Sequence, residues 1–154
     1  MTSYAVSVES VEPRPIAAVR GRMSILEVPA RFRSFLDRVY SVAKANAIAL
    51  DGQNIFVYRG DPSDIVDIDF GVGAKSEFST ADGISYTHVP GGEVATTTHW
   101  GDYAKLGDAY TALLTWCRAN NRTTAGVWWE VYGHWSDDPA KRRTDIFFLL
   151  RRTG

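Results

Sequence analysis

The sequence predicts an α+β fold of two pseudo-symmetric β-α-β-β type repeats. Together they form one antiparallel sheet, with two helices on one face and a ligand groove on the other. Three observations carry this. The order strand, strand, helix, strand, strand occurs twice along the 154 residues. Residues also correspond between the halves. A shift of 78 sets Ser7, Val11 and Ala17 on Ser85, Val89 and Ala95, and a shift of 74 sets Phe32, Leu36 and Val39 on Leu106, Tyr110 and Leu113. The same shift of 74 sets Val57-Tyr58 on Val131-Tyr132. Identities are few, so the shared element order is the stronger argument. Finally, each half owns one amphipathic helix and about four strands, too little to bury a face alone, and the two should join edge to edge.

Taken in order, residues 4–11 alternate into a short strand that Pro13 and Pro15 break, and 16–22 form a second extended run. Pro29 sits where a helix favours proline, at its first turn. Phe32, Phe35, Leu36, Val39 and Ala43 then recur at helical spacing, with Arg31, Arg33, Asp37, Arg38 and Lys44 on the opposite side. Asp51-Gly52 signals a turn. Strands at 55–58 and 65–70 follow, joined by Arg59-Gly60-Asp61-Pro62-Ser63-Asp64, which is turn chemistry throughout. Residues 73–83 are small and polar and read as a linker. The pattern then restarts with strands at 84–89 and 94–100 around Pro90-Gly91-Gly92. Asp102 suits an N-cap, and Leu106, Ala109, Tyr110, Leu113, Leu114 and Cys117 line one face of the second helix. Asn120-Asn121 ends it. A strand at 127–135, a turn at Ser136-Asp137-Asp138-Pro139 and a last strand at 145–150 complete the chain. One domain over 1–154 is expected, with repeats at about 4–72 and 84–152 and no DNA-binding domain.

The stretch V-W-W-E-V-Y-G-H-W at 127–135 concentrates the chemistry. In an extended chain alternate side chains share a face, so Trp128, Glu130, Tyr132 and His134 point one way and Val127, Trp129, Val131 and Trp135 the other. The helices need apolar partners, so Val127, Trp129 and Val131, with Ile55 and Val57 in the first half, are expected to face them. That leaves Trp128, Glu130 and Tyr132 with Phe56 and Tyr58 on the groove side. Burying a carboxylate between aromatic rings is costly unless it finds a partner. An acid at the bottom of an aromatic cleft suits a cationic or polarised aromatic ligand.

Composition narrows the classes. The formal net charge of −1 leaves no electrostatic footprint for nucleic acid, and none is expected as a partner. One cysteine rules out an internal disulfide and suits a reducing compartment. No apolar run approaches the roughly 20 residues of a membrane span, and no signal-peptide pattern opens the chain. A cytoplasmic protein without a membrane partner is expected. His88, His99 and His134 are not at metal-ligand spacing, so neither a metal nor another cofactor is expected. There is no G-x-S-x-G elbow. Five Trp, seven Tyr and seven Phe suit a surface for flat ligands.

The run H-W-G-D-Y at 99–103, the helix ending T-W-C and W-E-V-Y at 129–132 resemble the gyrase-inhibitor-like (GyrI-like) small-molecule-binding domain. That module, a duplicated SHS2 unit, is also the effector-binding domain of many multidrug-responsive bacterial regulators. The resemblance covers nearly the whole chain. It implies that the acid at Glu130 lies on the floor of the ligand cleft among aromatic residues; the expected ligand contacts are Glu130, Tyr132, Trp128, Phe56, Tyr58, Trp100 and Tyr103. Without room for a helix-turn-helix, the chain reads as a stand-alone binder of hydrophobic, flat, often cationic molecules, drugs or toxins among them. A second reading follows from relatives that open cyclopropane rings of DNA-alkylating natural products. Glu130 would then activate water and Tyr132 would donate to the carbonyl that gains charge. A third reading is a protein partner, as for a gyrase inhibitor.

Overall fold

A computed structural model of the chain describes residues 3–152. Its strands are β1 (Ser7–Val11), β2 (Arg14–Ser24), β3 (Leu50–Arg59), β4 (Ile65–Ala74), β5 (Ser85–Val89), β6 (Gly92–Trp100), β7 (Thr124–Tyr132) and β8 (Arg143–Leu150). The helices are α1 (Val28–Ala45) and α2 (Leu106–Ala119), each entered through a one-turn 3₁₀ helix. All pairings are antiparallel, in the order β1-β6-β8-β7-β3-β4-β2-β5. The expected α+β class is what the chain adopts.

The duplication is visible residue by residue. At the end of α1, Ile48 N–H donates to Ala43 O at 2.9 Å, and at the end of α2 Arg122 N–H donates to Cys117 O at the same distance. Ala47 and Asn121 carry the left-handed residue that this closure needs, at φ 53° and 54°. These positions correspond under the same shift of 74 that the sequence shows. In the β3–β7 pair Phe56 lies directly opposite Glu130, its own repeat equivalent. The pseudo-twofold axis therefore passes between them.

The sheet is strongly curled. β1 and β2 are six strand positions apart in the sheet order, roughly 29 Å if flat. Only Glu12 and Pro13 connect them, a reach of roughly 11 Å. The two edges must meet, and they do. Ser7–Val11 pairs with Thr96–Gly92, and Arg14–Ala18 pairs with Val89–Ser85, in one unbroken register. The prolines that sequence reading takes as a strand break only kink one long ladder. At the kink Gly91 lies against Pro13, where an added Cβ would stand 2.5 Å from the proline Cδ, so no larger residue fits without a shift.

This closure corrects the expected faces. Ile16, Ala18, Ile55, Val57, Val94 and Trp129 form one buried apolar cluster that includes no helical residue, joined by Val127, Val131, Phe147 and Leu149. The curled sheet buries that face against itself. The helices pack on the opposite face, with Phe56, Tyr58 and Trp128 in the same cluster as Leu36, Val39, Ala109 and Leu113. Val127, Trp129 and Val131 thus face away from the helices, and the groove shares the helices' side. Both faces of these strands are apolar, so alternation alone could not orient them.

Candidate functional site

α1 lies on β2 and β4, and α2 lies on β6 and β8. The central pair β3–β7 is left between the two helices, and above it is a cavity of about 880 Å³. Phe56, Tyr58, Glu130 and Tyr132 form its floor; α1 contributes Val28, Phe32 and Leu36, and α2 contributes Leu106 and Tyr110. Volume and lining fit a drug-sized ligand held largely by apolar contact.

Glu130 is 5 % exposed and meets three phenols. Tyr58 Oη donates to Oε1 at 2.9 Å, Tyr132 Oη donates to the same oxygen at 2.5 Å, and Tyr110 Oη donates to Oε2 at 2.5 Å. Tyr58 and Tyr132 are repeat equivalents, so the pseudo-symmetry delivers a matched pair of donors to one asymmetric acid. Three hydroxyl donors around two oxygens match a carboxylate, which accepts at both. Among the described residues no Arg, Lys or His forms an ion pair with it. A buried anion with hydrogen bonds and no counter-charge is half of an ion pair.

Burial pushes the phenols of Tyr58, Tyr110 and Tyr132 well above the ordinary tyrosine value, and the negative charge of Glu130 adds to the rise. With the folded pKa raised, the neutral phenol's contribution is complete below the unfolded value near 10 and is lost as pH climbs towards the folded one. Stability should fall above pH 10 by about 1.4 kcal/mol per pH unit for each buried tyrosine, about 4 for the three. Urea unfolding at pH 9 and pH 11 checks this, and equal midpoints at the two pH values would refute it.

The aromatic walls are ordered by edge and face contacts. Phe56 meets Tyr132 edge-on at 5.0 Å and lies tilted against Phe32 at 5.9 Å, while Trp128 stacks flat on Tyr58 at 5.4 Å. Trp128 therefore backs Tyr58 and does not itself line the cavity. Tyr103 does, edge-on to Tyr132 at 5.6 Å. The H-W-G-D-Y turn is held by its histidine. His99, 3 % exposed, donates from Nε2 to Asp102 O at 3.0 Å and accepts at Nδ1 from the Tyr4 hydroxyl at 2.8 Å. The carbonyl can only accept, which decides the tautomer. Asp102 in turn accepts from Ala104 N–H, capping the turn that presents Tyr103.

Of the residues expected from sequence, Glu130, Tyr132, Phe56, Tyr58 and Tyr103 come together around the cavity. Trp100 does not: it is 57 % exposed beside the Arg143 guanidinium, outside the lining. β7 ends at Tyr132, so His134 and Trp135 leave the sheet and sit at the cavity mouth. Sequence reading misses Tyr110 as a polar contact. Counted as apolar on the face of α2, it is the repeat equivalent of Leu36, and a buried phenol in place of leucine signals an acceptor nearby.

The family model of the GyrI-like small molecule binding domain matches residues 4–151. Among solved structures, the chain is similar to the C-terminal domain of EcmrR, with a TM-score of 0.78 at 18% identity over 99% of this chain and 100% of that one. In the EcmrR–DNA complex it matches with a TM-score of 0.82 at 18% identity, covering 97% of this chain but only 58% of the EcmrR chain. It is also similar to SAV2435 bound to tetraphenylphosphonium, with a TM-score of 0.70 at 8% identity over 96% of this chain and 94% of that one. A hydrolase from Listeria innocua matches with a TM-score of 0.64 at 10% identity over 95% and 91%. At these identities the likenesses speak for the fold alone. No curated protein sequence matches the chain.

Proposed function

The chain belongs to the family of the GyrI-like small molecule binding domain, and from that premise we propose that it binds lipophilic aromatic cations, flat ones among them, with Glu130 as their counter-ion. One observation carries the reading: a carboxylate held by three phenols and, among the described residues, by no cation, at the floor of an apolar cavity. A ligand cation supplies the missing half of the pair, and the surrounding rings add cation–π attraction. SAV2435, with tetraphenylphosphonium, supports this class of ligand by analogy of fold.

The second reading, hydrolysis of an electrophilic cyclopropane, has the same groups in other roles. Tyr58 and Tyr132 both reach Glu130 Oε1, so an acid and two hydroxyl donors do bracket one point. Phenol donors take three of the carboxylate's roughly four acceptor positions, leaving one on Oε2 for a water. A counter-ion role needs no such water, and binding is the reading the arrangement favours. Incubating the protein for many hours with a cyclopropane-bearing alkylator and analysing the mixture by mass spectrometry separates the two. Unchanged ligand is the expected result. Ring-opened product that is lost in Glu130→Gln would establish the hydrolase.

A further inference from the structure

We propose that the cavity is bipolar, and that its preferred ligands carry an anionic oxygen group at the outer end as well as a flat cation at the inner end. The proposal rests on the reading above, in which Glu130 takes the cation. The floor is negative, but the mouth is not. Arg33 of α1 lines the mouth, is exposed, and has its guanidinium 6.0 Å from the centre of the Phe32 ring. Among the described residues it forms no ion pair.

A second guanidinium stands on the connection between β7 and β8. Arg142 donates from Nε to Ser136 O at 2.9 Å, which fixes its plane. It lies 3.9 Å from the centre of the Trp135 ring and 5.8 Å from that of Tyr103. Both rings line the cavity. Two carboxylates are near. Asp51 is already paired with Arg14 at 2.9 Å, and Asp137 accepts from Trp135 Nε1 at 3.3 Å. The remaining balance at the mouth is two guanidinium groups against one carboxylate, with the exposed His134 beside them.

A guanidinium offers a planar fork of donors that matches a carboxylate, sulfonate or phosphate. A ligand bearing only positive charge gains at the floor and is opposed at the rim. One with its cation inward and its anion outward gains at both ends. Because the rim charges are exposed and screened, the second gain is the smaller.

The test uses two dyes with the same xanthene cation: rhodamine 110, whose carboxylate is free, and rhodamine 123, its methyl ester. Fluorescence polarisation titrations at low salt should show wild type binding the free acid roughly fivefold more tightly, the scale of two exposed ion pairs. In Arg33→Gln/Arg142→Gln the two dyes should bind equally. An ester bound as tightly as the acid by wild type, or a preference that survives in the double variant, overturns the proposal and leaves the cation site standing. If neither dye binds, or Glu130→Gln leaves the ester's affinity unchanged, the cation site fails and the bipolar proposal falls with it.

Discussion

Replacing Glu130 by glutamine should lower the affinity for tetraphenylphosphonium by about 10²-fold and leave the fold in place. Removing one member of a desolvated charge pair costs about 2–5 kcal/mol of binding, and about 1.4 kcal/mol is tenfold. The loss is large because Glu130 is 5 % exposed and stands in an apolar cavity, where water screens little. Folding should be nearly indifferent. The glutamine carbonyl can still accept from Tyr58 and Tyr132, and its amide can donate to the Tyr110 oxygen once that hydroxyl turns. Losing one buried charge offsets what the hydrogen bonds lose, so stability should change by only about 1 kcal/mol.

The largest effect on stability should come from dividing the chain between its repeats. Neither residues 1–80 nor 81–154 is expected to fold alone. In the first half β1 has no strand partner, because it pairs only with β6, and β3 loses β7. The second half loses β2 from β5 and β1 from β6. Both halves expose the inner apolar face that only the closed ladder buries, including Ile55, Val57 and Val94. Open apolar sheets of three paired strands with bare edges associate or unfold rather than persist. The measurement is a proton–nitrogen correlation spectrum of each half. Collapsed amide shifts are expected, and a well-dispersed spectrum from either half would show that one repeat suffices. The intact chain is expected to unfold as a single cooperative unit.

The repeat is legible in the sequence because its elements recur in the same order, and the structure adds that Asn46 and Asn120 end the two helices with the same closure. Glu130 is legible because an acid set between aromatic residues on one strand face needs either a partner or a cavity. The side on which it opens is not. Ile55, Val57, Trp129 and Val131 are as apolar as a helix-facing row, yet the partner that buries them is the far edge of their own sheet. That closure depends on Glu12-Pro13 and Pro90-Gly91, and each reads as punctuation when taken alone. Only the common register across both kinks reveals one ladder. Tyr110 escapes notice because a phenol passes for an apolar residue in a helical pattern, while its hydroxyl finds the acid 20 positions away.

On the reading proposed for this cavity, Glu130 is what makes it a site for positive charge. Tetraphenylphosphonium and tetraphenylborate have nearly the same shape and opposite sign, so comparing them isolates charge from apolar contact. Calorimetric titration of wild type should show the cation bound and the anion bound at least about 10²-fold more weakly, with that gap collapsing in Glu130→Gln. Equal affinities of the two ions for wild type, or a gap that survives the substitution, would contradict this role of Glu130.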